Sequence, residues 1–79
     1  MWQKYKDIDG DSSVEAYKVD LTARNIIVRF SNGKCREYLY EERKIGEQHY
    51  KNMINYAELG DGLGSYIQNY VRNGYSSKG

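Results

Sequence analysis

Asn32-Gly33 lies between two runs rich in β-branched and aromatic residues, NIIVRF at 25–30 and CREYLY at 35–40, and no other feature constrains the fold as strongly. A two-residue Asn-Gly connection suits a type I′ turn, which needs positive φ at both central positions, so the pattern predicts a β-hairpin. With that loop, Phe30 faces Cys35, Val28 faces Glu37 and Ile26 faces Leu39 on one side of the ribbon. On the other side Arg29 meets Arg36, Ile27 meets Tyr38 and Asn25 meets Tyr40. The first face is the more apolar, with Glu37 out of place on it. A one-residue bulge would change every pairing.

The flanking segments supply the rest of the architecture. VEAYKVDL, from Val14 to Leu21, alternates imperfectly and predicts a strand with Val14, Ala16 and Val19 turned one way. Residues 22–24 make a short turn to the hairpin. Further on, Tyr50, Met53, Ile54 and Ala57 recur at helical spacing, and Gly60 stands where a helix-ending glycine belongs. Leu63, Tyr66, Ile67, Tyr70 and Val71 form a second such stripe, stopped by Gly74. Neither helix is long enough to persist alone, so both must pack on the sheet. The expected fold is α+β: a small antiparallel sheet of about three strands followed by two C-terminal helices on one face. Residues 1–79 read as a single domain with its core at about 9–75, and 1–8 and 76–79 as flexible ends.

Composition narrows the chemistry. Cys35 is the only cysteine, so no disulfide within the chain and no thiolate cluster for zinc is expected. The opening MWQKYKDIDG has no apolar run or small-residue cleavage pattern, and no stretch approaches the roughly 20 apolar residues of a membrane span. A cytoplasmic protein without membrane attachment is the expectation. The net charge of +1 gives no bulk attraction to nucleic acid, so any such binding needs a local patch. Nine tyrosines in 79 residues are the unusual feature, and a tyrosine suits half-buried surfaces and interfaces.

Few constellations carry chemistry. Asp7, Asp9, Gly10 and Asp11 suggest calcium, but a twelve-residue loop beginning at Asp7 places Ser12 and Lys18 where glycine and glutamate are needed. An Asx-type turn is the plainer account. GDGLGS at 60–65 precedes a helix but lacks the Lys-Ser/Thr pair of a phosphate loop, which leaves a helix–helix turn. His49 has no acid, base or ligand three or four positions away and is expected at a helix flank or in solvent. No base accompanies Cys35 or a serine, and Glu41-Glu42 reads as a solvated turn, so no catalytic, metal or cofactor site is expected. The best candidate surface is the second hairpin face. There Arg29, Arg36, Tyr38 and Tyr40, with Lys34 at the tip and Lys18 or Arg24 near, combine positive charge with flat rings. Rings on a sheet stack bases and arginines hold phosphates; the same tyrosines equally suit a core against the helices.

The order of these features resembles the KTSC domain, a short bacterial and phage-type module named for its occurrence at the C-terminus of some lysyl-tRNA synthetases. DSSVEAY at 11–17, a strand ending in Phe30, the Asn32-Gly33 turn, Tyr38-Leu39-Tyr40 and the segment from Gly62 to Tyr75 carry the resemblance, over about residues 9–75. EERKIG stands where that family usually has a valine–proline pair, which leaves the start of the first helix open. By association with the synthetase the resemblance implies RNA binding, with Tyr38 and Tyr40 on the functional face. The expected function is a non-enzymatic RNA-binding module using Arg29, Lys34, Arg36, Tyr38 and Tyr40. The alternative is a protein-interaction module, self-associating as a homodimer or binding another protein.

Overall fold

The computed structural model describes residues 2–8, 10 and 12–79. It is an α+β structure whose sheet has five antiparallel strands, each hydrogen-bonded to its sequence neighbour. They are β1 (Gln3–Lys4), β2 (Val14–Asp20), β3 (Asn25–Phe30), β4 (Glu37–Glu41) and β5 (Ser77–Lys78). Three of these match the expected sheet. The additional two come from the segments expected to be flexible ends, which instead form the sheet's edges. Gln3 pairs with Tyr17 at one edge, and Leu39 with Ser77 at the other.

The hairpin forms, but in a different register from the one the Asn-Gly turn predicts. Val28 stands opposite Tyr38, Ile26 opposite Tyr40 and Arg29 opposite Glu37. The connection is longer than two residues: the Phe30 amide donates to the Arg36 carbonyl at 2.7 Å, and only Gly33 in the loop has positive φ, at 104°. Because strand side chains alternate with period two, this one-residue slip carries β4 over from one face to the other. Tyr38 and Tyr40 thereby join Ile26 and Val28 beneath the helices. On the core face Tyr40 stands in place of Leu39 and Tyr38 in place of Glu37, so an apolar ring replaces a carboxylate that would have had to be desolvated, and Glu37 comes to lie opposite Arg29. The ideal two-residue turn yields to those gains.

A second irregularity lies in β2. Val14 pairs with Phe30 and Ala16 with Arg29, so Glu15 is an extra residue at a bulge. The expected common side for Val14, Ala16 and Val19 is therefore broken. Val14 belongs to the buried cluster that also holds Ile26 and Val28, whereas Ala16 lies outside it.

Between β4 and β5 the chain makes α1 (Glu42–Ile45), α2 (Glu47–Leu59) and α3 (Leu63–Tyr66), and α3 runs directly into a π-helical turn, Ile67–Val71. The start that EERKIG left open is thus a single turn straight off β4, separated from α2 by Gly46 at φ 93°. α2 ends on Gly60 in the left-handed region, its amide bonded to the Tyr56 and Ala57 carbonyls. Tyr50, Met53 and Ala57 are buried from α2, and Leu63, Tyr66, Ile67 and Val71 from the segment after it. Tyr70, expected in that stripe, is 64% exposed instead. The Tyr5 hydroxyl accepts a hydrogen bond from the Leu63 amide at 3.2 Å, fastening the N-terminal segment to the start of α3. Among the described residues no helix is long and apolar enough to cross a membrane.

Candidate nucleic-acid interface

The five residues expected to form one binding face are dispersed by the observed register. Tyr40 is 1% exposed, at the centre of the core, and burial pushes its phenol well above the ordinary tyrosine range. Its ring has no surface to offer a base. Arg29 lies on the helix-free face, where Nε and Nη2 donate to Glu37 Oε2 at 3.0 and 2.7 Å and the guanidinium sits 4.2 Å from the centre of the Trp2 ring. Arg36 donates through Nε to the Phe30 carbonyl and through Nη2 to Glu15 Oε1, both at 2.9 Å. These two arginines, offered as phosphate ligands, are each matched by a carboxylate. Arg24 is held by Glu42, and Lys18 lies 5.9 Å from the Trp2 ring.

Lys34 and Tyr38 remain, and the structure brings them together on the helical side. They line a cleft of about 590 Å³ between the hairpin loop, the π turn and the C-terminal segment. Three cations (Lys34, Arg72 and Lys78) share it with three aromatic rings, Phe30, Tyr38 and Tyr75. The rings form a chain of edge-to-face contacts: Phe30 to Tyr38 at 5.4 Å and Tyr38 to Tyr75 at 5.1 Å between centres. This is the arrangement aromatic quadrupoles favour, and it holds Tyr38 and Tyr75 half-buried with part of each ring free. Asn32, Gln68 and Asn73 supply amide groups, and the half-buried Cys35 a thiol. No aspartate or glutamate among the described residues lines the cleft, and none forms an ion pair with Lys34, Arg72 or Lys78. The Tyr75 hydroxyl beside Lys78 holds its ammonium above the ordinary lysine range, so it stays charged.

Arg72, Tyr75 and Lys78 were invisible as site residues in the sequence, where YSSKG reads as a loose tail. What docks them is backbone chemistry: Ser76 N–H donates to the Leu39 carbonyl at 2.6 Å, and the Arg36 and Glu37 amides donate to the Gly79 carbonyl at 2.8 and 2.9 Å. No side-chain pattern announces such pairing.

The remaining expectations fall out as follows. Asp7 Oδ1 accepts the Ser12 amide five residues on at 3.1 Å, and the Asp7 carbonyl accepts the Gly10 amide at 2.9 Å, a backbone turn where the Asx-type turn was expected; Asp9 and Asp11 lie outside the described residues. Gly60 and Gly62 have φ of 76° and 84°, which suits the tight turn between α2 and α3. His49, expected to lack a partner, has one on the following helix: its Nδ1 lies 2.5 Å from the Tyr66 hydroxyl. That hydroxyl also accepts from Asn52 Nδ2 at 3.0 Å. The trio ties α2 to α3. The helix-free face carries Trp2, Ile27 and Leu39, each half-exposed. Compared with known families, curated proteins and solved structures, the chain matches no family model, no curated protein and no solved structure.

Proposed function

We propose that this chain is a non-enzymatic RNA-binding module whose contact surface is the cleft around Lys34 and Tyr38. One observation carries the reading: three cations without carboxylate partners share a cleft with three aromatic rings. Nucleic acid presents phosphates beside flat bases, and a site of this composition meets both, the cations through charge and the half-exposed rings by stacking. Single-stranded RNA suits it better than duplex, because only unstacked bases reach rings inside a cleft. The resemblance to the KTSC domain points the same way, with Tyr38 of the Tyr-x-Tyr motif at the surface and Tyr40 in the core.

The test is a titration of isotopically labelled protein with short mixed-sequence RNA at low salt. Shifts gathered on Lys34, Tyr38, Arg72, Tyr75 and Lys78, fading as salt rises, are the expected result. Absence of shifts at millimolar RNA, or binding indifferent to salt, overturns the proposal.

The helix-free sheet face supports a second reading. Ile27 and Leu39 are direct cross-strand neighbours there, and half-exposed. A second copy of the chain laid across them would bury both and give a homodimer. Light scattering that shows only monomer at tens of micromolar removes this alternative.

A further inference from the structure

The cleft does not end at Phe30. A second depression of about 460 Å³ continues from it and shares Ser13, Phe30 and Gln68 as lining residues. This depression differs in charge: Asp7 and Asp61 line it, with Ser12 and Ser65, and no lysine or arginine among the described residues does. Asp7 Oδ1 is engaged by the Ser12 amide. The Asp61 carboxylate is exposed and makes no hydrogen bond or ion pair among the described residues. The groove is therefore polarised along its length, cationic at Lys34, Arg72 and Lys78 and anionic at Asp61.

Resting on the RNA reading above, we infer that this groove takes the 3′ end of an RNA strand. The strand's last phosphodiesters lie along the three cations, and the terminal nucleoside extends past Phe30 into the second depression. A continuing strand would place its next phosphate beside Asp7 and Asp61, where like charge repels it. A terminal ribose instead presents two adjacent hydroxyls, both donors, and an ionised carboxylate accepts two hydrogen bonds side by side. Recognition of a ribose hydroxyl by an acidic side chain is the same chemistry that dinucleotide-binding folds use. The 2′-hydroxyl also separates RNA from DNA at such a position. Asp61 is suited to the role because it sits in the glycine turn between α2 and α3, held by Gly60 and Gly62 on either side. The Gly60 carbonyl accepts from the Ile8 amide at 2.8 Å, which steadies that turn against the N-terminal segment.

Fluorescence anisotropy with one labelled RNA sequence in four forms tests this: a free 3′ diol, a 3′-phosphate, a 2′-deoxy 3′ terminus, and a circle without ends. The diol is expected to bind roughly tenfold more tightly than the 3′-phosphate and the circle, and measurably more tightly than the 2′-deoxy end. Asp61→Asn, an exposed change that leaves the fold intact, is expected to shrink the preference over the phosphate to about threefold or less, since the repelling charge is gone. Equal binding of all four forms overturns the inference and leaves the RNA reading standing. A diol preference that survives Asp61→Asn overturns the role of Asp61. If no form binds, both proposals fall together.

Discussion

Val28 and Tyr38 face each other across β3 and β4 beneath the helices, one residue out of step with the pairing that a two-residue Asn-Gly turn would impose. The slip decides which aromatic rings belong to the core and which to the surface. Tyr38 keeps contact with both, packed against the buried cluster and lining the cleft, so it is the point at which folding and binding meet.

The register predicts an asymmetry within the Tyr38-Leu39-Tyr40 triplet. Tyr40→Ala removes a ring that is 1% exposed and is expected to cost about 3–5 kcal/mol, the range for deleting a buried aromatic side chain. Leu39→Ala, on the helix-free face and half-exposed, should cost well below half of that. Urea denaturation of the two variants measures the difference. The tight-turn register predicts the reverse order, with Leu39 the buried residue.

Alkaline pH probes the same burial. The folded-state pKa of Tyr40 is raised above the ordinary tyrosine value of 10.0, chiefly by desolvation and then by the neighbouring Tyr38 and Tyr75. A raised pKa means that the neutral phenol is favoured in the folded state. The stability that this contributes is intact below pH 10 and is lost progressively above it, as the unfolded chain ionises first. Tyr17 and Tyr50 shift in the same direction, again mainly through burial. Unfolding free energy measured from pH 8 to 11 is expected to fall above pH 10, and more shallowly in Tyr40→Phe.

Gly74 is where the chain leaves the π turn and heads for β5. A Cβ placed there would lie 2.7 Å from Ile45 Cγ2, closer than packed atoms approach, and a tight 3.3 Å from the Val71 carbonyl oxygen. Gly74→Ala is expected to destabilise by about 1–3 kcal/mol through overpacking. Hydrogen exchange gives the sharper readout: the Arg36 and Glu37 amides, bonded to Gly79, should lose protection if β5 is displaced, while those of β2 and β3 keep theirs.

These elements show how far the sequence was legible and why it stopped. Helical spacing located α2 through Tyr50, Met53 and Ala57, because a buried stripe repeats wherever a helix lies on a sheet. β-branched clustering located β3 for a similar reason. Register was not legible, since turn chemistry and ring burial favoured different pairings and only the whole core settles such a competition. β1 and β5 escaped notice because two-residue edge strands are made by backbone hydrogen bonds, which leave no side-chain periodicity. Arg72, Tyr75 and Lys78 escaped with them. The cationic half of the cleft is assembled from the hairpin tip, the end of the π turn and the distant edge strand β5, so nothing local signals it.

The salt dependence of RNA binding should count the cations of the cleft. Each lysine or arginine that neutralises a phosphate of a single strand releases counterions and contributes about −0.7 to the slope of log affinity against log salt. With Lys34, Arg72 and Lys78 all engaged, the slope of the unaltered protein is expected near −2. Lys34→Ala and Arg72→Ala alter exposed side chains without ion-pair partners among the described residues, so both variants should fold normally. Each is expected to flatten the slope by about 0.7 and to weaken binding at low salt several-fold. Arg29→Ala is the control, because its guanidinium is already matched by Glu37 on the opposite face of the sheet. A flattened slope in Arg29→Ala, with no change in Lys34→Ala or Arg72→Ala, would move the contact surface back to the helix-free face and set the cleft aside.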